Sequence, residues 1–260
     1  MATLPAIIPH WPGLPANVGA LSTVRAGGAS LGVYGDGQGG GGLNLGVHVG
    51  DDAALVAQNR AQLAALLPSE PAWLNQVHGV AVADAASVHG SVPDADASVA
   101  STPGAVCLLM TADCLPVLFS SNDGDVVAAA HAGWRSLASG VLQRTVQAMR
   151  ARGAGEILAW LGPAIGPGQF EVGQDVLQAF SESAVDAAEH AAVQAAFAAI
   201  GGRPGKYLAD IYALARLHLA REGVTQVAGA EYCTVSDAAQ FYSYRRDGVT
   251  GRQASLIWRK

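Results

Sequence analysis

Two imidazoles and one thiol are the groups of this chain best suited to chemistry. His78 lies in NQVHG (75–79), Cys114 just beyond the apolar run 106–110, and His131 at the close of the apolar run 126–130. Singly, each has an ordinary explanation, the histidines as surface or corner residues and the cysteine as core packing. Together they are a common donor set for Zn2+, and three protein ligands leave a fourth position for water or substrate, as in catalytic zinc sites. Imidazole accepts copper as well, so ligand type does not separate Zn2+ from Cu2+. The three residues stand 36 and 17 positions apart, which matches no finger-type spacing. Only a fold that gathers distant segments would assemble them.

The same residues admit other chemistry. Cys114 as nucleophile with His131 as base would give a thiol hydrolase or amidase. A thiolate that ligates zinc is poorly available for attack, so bound metal discriminates the two readings. A third reading is a metal-dependent binding module without turnover. Multicopper oxidation is disfavoured, because it needs a dense set of imidazoles and the chain has seven His with no His-x-His pair. Around the three residues, Asp113 is a candidate ligand orienter or proton acceptor, with His48 as the alternative proton shuttle. Arg135 falls in the first turn of a helical pattern that begins after Gly133, where backbone N–H groups favour an anion. Arg245 and Arg246 come from a glycine-punctuated loop and are candidates for phosphate binding.

The elements that must position these groups are legible as hydrophobic runs. Strands are expected at 18–24, 73–76, 80–83, 105–110, 116–119, 126–130, 157–161, 227–230 and 254–258. Helices are expected from the Asp51–Asp52 cap to about residue 67, over the periodic residues 137–149 ending at Gly153, and over 172–183, 185–200 and 208–222. The glycines at 39–42 read as a mobile loop or lid. No repeat or linker divides the chain, so one domain over 1–260 is expected.

With 15 basic and 21 acidic residues, a formal net charge of −6 leaves no global positive field for nucleic acid or anionic lipid, and small substrates fit better. A hydrophobic fraction of 50% against 14% charged residues excludes a disordered chain. Three cysteines, Cys107, Cys114 and Cys233, are too few for a disulfide scaffold and point to a reducing cytoplasm. The first fifteen residues carry no basic segment followed by an apolar core, so neither export signal nor membrane anchor is expected. Oligomeric state is not legible.

Six ordered motifs, NLGVHVGDD (44–52), NQVHG (75–79), TADCLPV (111–117), HAGWR (131–135), LGPAIGP (161–167) and FYSYRRDGVTGRQ (241–253), resemble the YfiH family of laccase-domain proteins over nearly the whole chain. The resemblance implies that His78, Cys114 and His131 are the metal ligands and that Arg25, Asn44 and His48 belong to the substrate pocket. It implies a purine nucleoside phosphorylase acting on adenosine, inosine, guanosine and methylthioadenosine with inorganic phosphate, with adenosine deaminase activity besides. The family also includes the peptidoglycan editing factor, which implies cell-wall precursors as the substrates of the thiol hydrolase or amidase alternative. The implied fold is α+β, a layered α/β sandwich with mixed sheets, akin in outline to the Cys–His deamidase toxins. Some relatives carry cysteines after the second Gly-Pro of LGPAIGP, where this chain has Gly168 and Gln169.

Overall fold

The computed structural model describes residues 4–88 and 90–260, so the expectation of no leader rests in part on residues 1–3, which lie outside the described residues. A six-stranded mixed sheet runs in the order β13 (Gln226–Gly229), β9 (Ile157–Leu161), β7 (Leu115–Ser121), β8 (Val127–Ala132), β5 (Ala97–Ala100), β4 (Val82–Asp84). Its two outer pairs are parallel and its inner pairs antiparallel. Alternate residues of its strands face two different cores. Val117, Phe119, Ala128 and Ala130 pack against helices, while Leu118, Val127, Ala129 and Leu158 pack against the second sheet. Burial on both faces explains why these strands read as continuous apolar runs rather than alternating ones. Each large side chain so buried contributes roughly 1.5–3 kcal/mol.

The second sheet is antiparallel, in the order β1 (Ala6–Ile7), β2 (Val18–Thr23), β14 (Gln253–Arg259), β6 (Val106–Thr111). Its outer face is covered by Leu63 of α1 (Ala53–Ala64) and by Leu43 and Leu45. The Asp52 carboxylate caps α1 by accepting from Ala54 and Leu55 N–H groups. The short strand β3 (Ala26–Ser30) lies beside α1. On the far side of the six-stranded sheet lie α2 (Trp134–Ala138), α3 (Val141–Arg150), α4 (Gln174–Ser183), α5 (Ala187–Ala195) and α6 (Ile211–Arg221). The layers are therefore helix, sheet, sheet, helices. Among the described residues, no helix is long and apolar enough to cross a membrane.

Several expectations are corrected. The helical stretches read at 172–183, 185–200 and 208–222 begin or end in strand, and β10 (Glu171–Gly173), β11 (Phe197–Ala199) and β12 (Lys206–Ala209) form a separate antiparallel sheet. Alanine hides β11, since its high helix propensity is overridden by pairing, while β10 and β12 are short and run almost directly into α4 and α6. Residues 73–76 contribute one isolated bridge, from Asn75 to Asp94, rather than a strand. The helical pattern after Gly133 is two helices, broken where Gly140 takes φ +91°. The glycines at 41 and 42 are packing positions rather than lid residues. A Cβ at Gly41 would meet the Gly28 carbonyl at 2.0 Å, and one at Gly42 would meet the Tyr34 carbonyl at 2.0 Å.

Candidate metal centre and pocket

Strand pairing builds the candidate metal centre. Leu115 pairs with Ala132 and Pro116 with His131, so continuing the register beyond β7 sets Cys114 opposite Gly133. On the other side, Ala97 pairs with Ala130, which places Asp96 opposite His131. The His131 amide donates to the Asp96 carbonyl at 2.6 Å, and His131 Nδ1 lies 2.8 Å from Asp96 Oδ1. His78 takes φ +61°, an unusual backbone for a non-glycine residue, in a turn that the same carboxylate holds. Asp96 accepts from the amides of Val77 (3.2 Å), His78 (3.0 Å) and Gly79 (2.6 Å). One buried carboxylate therefore fixes two of the three expected ligands.

His78, Cys114 and His131 converge. Their donor atoms lie within 4.8 Å of one another, with Cys114 Sγ 3.8 Å from His78 Nε2. With Nδ1 donating to Asp96, His131 presents the Nε2 lone pair to the centre, the orientation that carboxylate–histidine–metal triads fix. Burial disfavours the Cys114 thiolate, but the His131 and His78 rings outweigh it and bring the thiol below its ordinary range. Burial likewise disfavours charge on His131, yet the Cys114 thiolate and Asp96 hold its proton more tightly than usual. Space is reserved as well: a Cβ at position 133 would come 2.9 Å from His78 Cδ2 and 3.0 Å from Cys114 Sγ. One thiolate, two imidazoles, a carboxylate behind one of them and a glycine in front fit a Zn2+ or Cu2+ site with an open position.

The centre opens into a cavity of about 480 Å3 lined by His48, Asp113, Arg135, Arg245 and Arg252, with apolar walls that include Met110, Ile165 and Phe170. That volume suits a small ligand the size of a nucleoside. A family profile described as "Multi-copper polyphenol oxidoreductase laccase" matches residues 19–260. The chain belongs to the YfiH family of laccase-domain proteins. It is 51% identical over 254 residues to the "Purine nucleoside phosphorylase YfiH" of Escherichia coli strain K12, covering 97% of this chain and 98% of that one. A purine nucleoside phosphorylase of Pseudomonas aeruginosa is 50% identical over 252 residues, covering 97% of each. Among solved structures, a Neisseria meningitidis protein of the family DUF152 superposes with TM-score 0.86 at 50% identity, covering 98% of this chain and 99% of that one. A Bacillus licheniformis protein titled hypothetical protein YfiH gives TM-score 0.81 at 27% identity, covering 94% and 93%.

In this YfiH-family chain the expected pocket residues divide. His48, Asp113, Arg135 and Arg245 line the cavity. Arg25, Asn44 and Arg246 do not, because their polar groups are taken up in structure. Arg25 donates to the carbonyls of Gly35 and Ala238. Arg246 chelates Asp247 and donates to the carbonyls of Thr234, Val235 and Phe241. Asn44 is fully buried and binds Asp51, Gly46 and the Arg252 amide. Asp113 has both oxygens engaged, by the Thr234 hydroxyl at 2.6 Å and the Arg245 amide at 2.6 Å, so it positions Arg245. Partial burial lowers the His48 pKa, and the Arg252 and Arg60 cations add to this, so its imidazole is neutral at pH 7. Sequence reasoning missed Asp96 and Arg252. An acidic residue set among alanines at the head of an apolar run was the available signal for Asp96. Arg252 had one too, as the last cation of the 241–253 motif, directly before a strand.

Proposed function

We propose that the protein is a metal-dependent purine nucleoside phosphorylase that also deaminates adenosine. The observation that carries the reading is a single cavity lined both by the His78–Cys114–His131 cluster and by three arginines, within apolar walls that suit a purine. The names of the curated relatives support the phosphorylase activity. Phosphorolysis forms a bond from a phosphate oxygen to C1′ and breaks the bond from N9 to C1′, whose electron pair leaves with the purine. The base then takes a proton, and ribose-1-phosphate is the second product. Its transition state gathers positive charge on the ribose beside an anion, so arginines that hold phosphate contribute in the transition state as well as in binding. Neutral His48 is suited to exchange a proton with the base or leaving group. Zn2+ or Cu2+ held by the cluster would supply Lewis acidity and water activation, which deamination of adenosine to inosine and ammonia requires. Adenosine, inosine, guanosine and methylthioadenosine share the purine that these walls would cover.

The test is product analysis on adenosine and inosine, with and without phosphate, alongside metal content. Phosphate-dependent ribose-1-phosphate from inosine and inosine from adenosine are expected. Base release indifferent to phosphate would sink the phosphorylase branch, and free adenine with no inosine the deaminase branch. A specific observation favours a second reading, a thiol hydrolase: Asp96, His131 and Cys114 stand in the order orienter, base, nucleophile. Activity of the metal-free protein on an amide or thioester would select it. Multicopper oxidation finds one donor cluster among the described residues where it needs several.

A further inference from the structure

Arg252 is built into the cavity more firmly than any other cation there. Its amide donates to Asn44 Oδ1 at 2.9 Å, and its carbonyl accepts from the Leu45 amide at 3.1 Å. Its stem lies against Gly46, where a Cβ would come 2.9 Å from Cγ. Its Nη1 donates to the carbonyls of Thr250 and Gly251. Its Nε and Nη2 make no hydrogen bond among the described residues, and it has no ion-pair partner among them. The other two arginines are less suited. Arg135 is exposed and lies over the Trp134 ring at 4.4 Å, and Arg245, whose Nη1 is likewise spent on a carbonyl, that of Glu171, is exposed where Arg252 is half-buried.

We propose that Arg252 is the anion anchor of this cavity, binding inorganic phosphate through the paired edge of Nε and Nη2. The inference rests on the phosphorylase reading and adds the residue that holds the second substrate. A guanidinium fork matches two oxygens of a tetrahedral oxyanion, and a side chain already ordered loses little entropy on binding. Asn44 and Gly46 are then positioning residues: they hold Arg252 without touching phosphate. This gives the 44–52 and 241–253 motifs a shared purpose, since each supplies half of one clamp.

The experiment measures equilibrium binding of inorganic phosphate by calorimetry, and the KM for phosphate and for inosine. It compares the metal-loaded wild type with Arg252→Gln, Arg252→Lys, Gly46→Ala and Arg135→Gln, with circular dichroism as the folding check. Arg252→Gln is expected to weaken phosphate binding and raise its KM by about 10- to 100-fold, with the KM for inosine within about threefold, as loss of a charge-assisted bidentate contact implies. Arg252→Lys should recover part of the loss, and Gly46→Ala should weaken phosphate with the charge retained. Phosphate binding unchanged in folded Arg252→Gln, no phosphate binding by the wild type, or a larger loss in Arg135→Gln would each overturn the assignment. Wild type that binds phosphate through Arg252 yet yields no ribose-1-phosphate would overturn the phosphorylase reading and leave the anchor standing.

Discussion

Replacing Asp96 by Asn keeps the side-chain volume but removes a charge and turns one oxygen into a donor. Asp96 is fully buried. Its Oδ1 accepts from the His78 amide and His131 Nδ1, and its Oδ2 from the amides of Val77 and Gly79. Whichever way the Asn amide turns, its NH2 faces two donors that lose their acceptor. Each orphaned buried donor costs about 1–3 kcal/mol, so a loss of roughly 2–4 kcal/mol is expected once the turn relaxes. For a chain of this size that corresponds to a fall in Tm of ~5–15 °C. If the NH2 faces His131, the imidazole proton moves to Nε2 and the metal lone pair is lost, lowering zinc affinity about 10- to 100-fold. Burial works against the Asp96 carboxylate, but His131 and the backbone donors outweigh it and hold its pKa below the ordinary value. The advantage of Asp over Asn is therefore complete above about pH 4 and shrinks as acid brings the pH through the folded-state pKa. Thermal unfolding of the metal-free proteins and zinc competition against a chromophoric chelator measure both effects. An Asn variant that melts within ~2 °C of wild type, judged against that expected shift, and binds zinc normally would refute the reasoning.

Three further outcomes are expected. Gly133→Ala has no backbone strain to overcome, since φ is −56°, yet its Cβ intrudes on His78 and Cys114. Its zinc affinity should fall about tenfold or more with little change in metal-free Tm, and unchanged affinity by chelator competition would show that the space is not reserved for the metal geometry. His218 is buried under Phe180 and beside Gln143, and burial pulls its pKa down to about 3. The unfolded chain then binds the proton that the folded chain refuses, so stability falls as pH drops below about 6.5, by about 2 kcal/mol at pH 5. His218→Gln should lose that component in urea unfolding at pH 7 and pH 5, and an identical drop in both proteins would contradict the burial argument. Chelation should abolish phosphorolysis and zinc should restore it, whereas undiminished turnover in the metal-free protein would favour Cys114 as nucleophile.

The central sheet was legible because its strands are continuous apolar runs, whereas His78, Cys114 and His131 stood out only as a donor set taken together and through the family resemblance. An apolar stretch such as 126–130 followed by His131 has to be a buried strand ending at something polar. The three-stranded sheet of β10, β11 and β12 was illegible because Phe197–Ala199 is two-thirds alanine, and only its pairing with β12 makes it strand. The arginines show the same limit at the site. Arg25, Arg246 and Arg252 all fall in quoted or glycine-rich segments, and what separates them is which carbonyls surround each guanidinium, a tertiary property. Asp96 acts on residues 17 to 35 positions away, so its place at the head of an apolar run marks it as unusual without showing what it holds.

The strand β14 lies in the middle of its sheet, between β2 and β6, and Arg252 immediately precedes it. During synthesis the ribosome delivers this strand after every other element described. Until then β2 and β6 flank an empty slot, each with an unpaired edge. The nascent chain therefore has to wait, exposed, for its closing piece. The same residues that shut the sheet bring the proposed anchor into the cavity, so the anchor is in place only once the fold is complete.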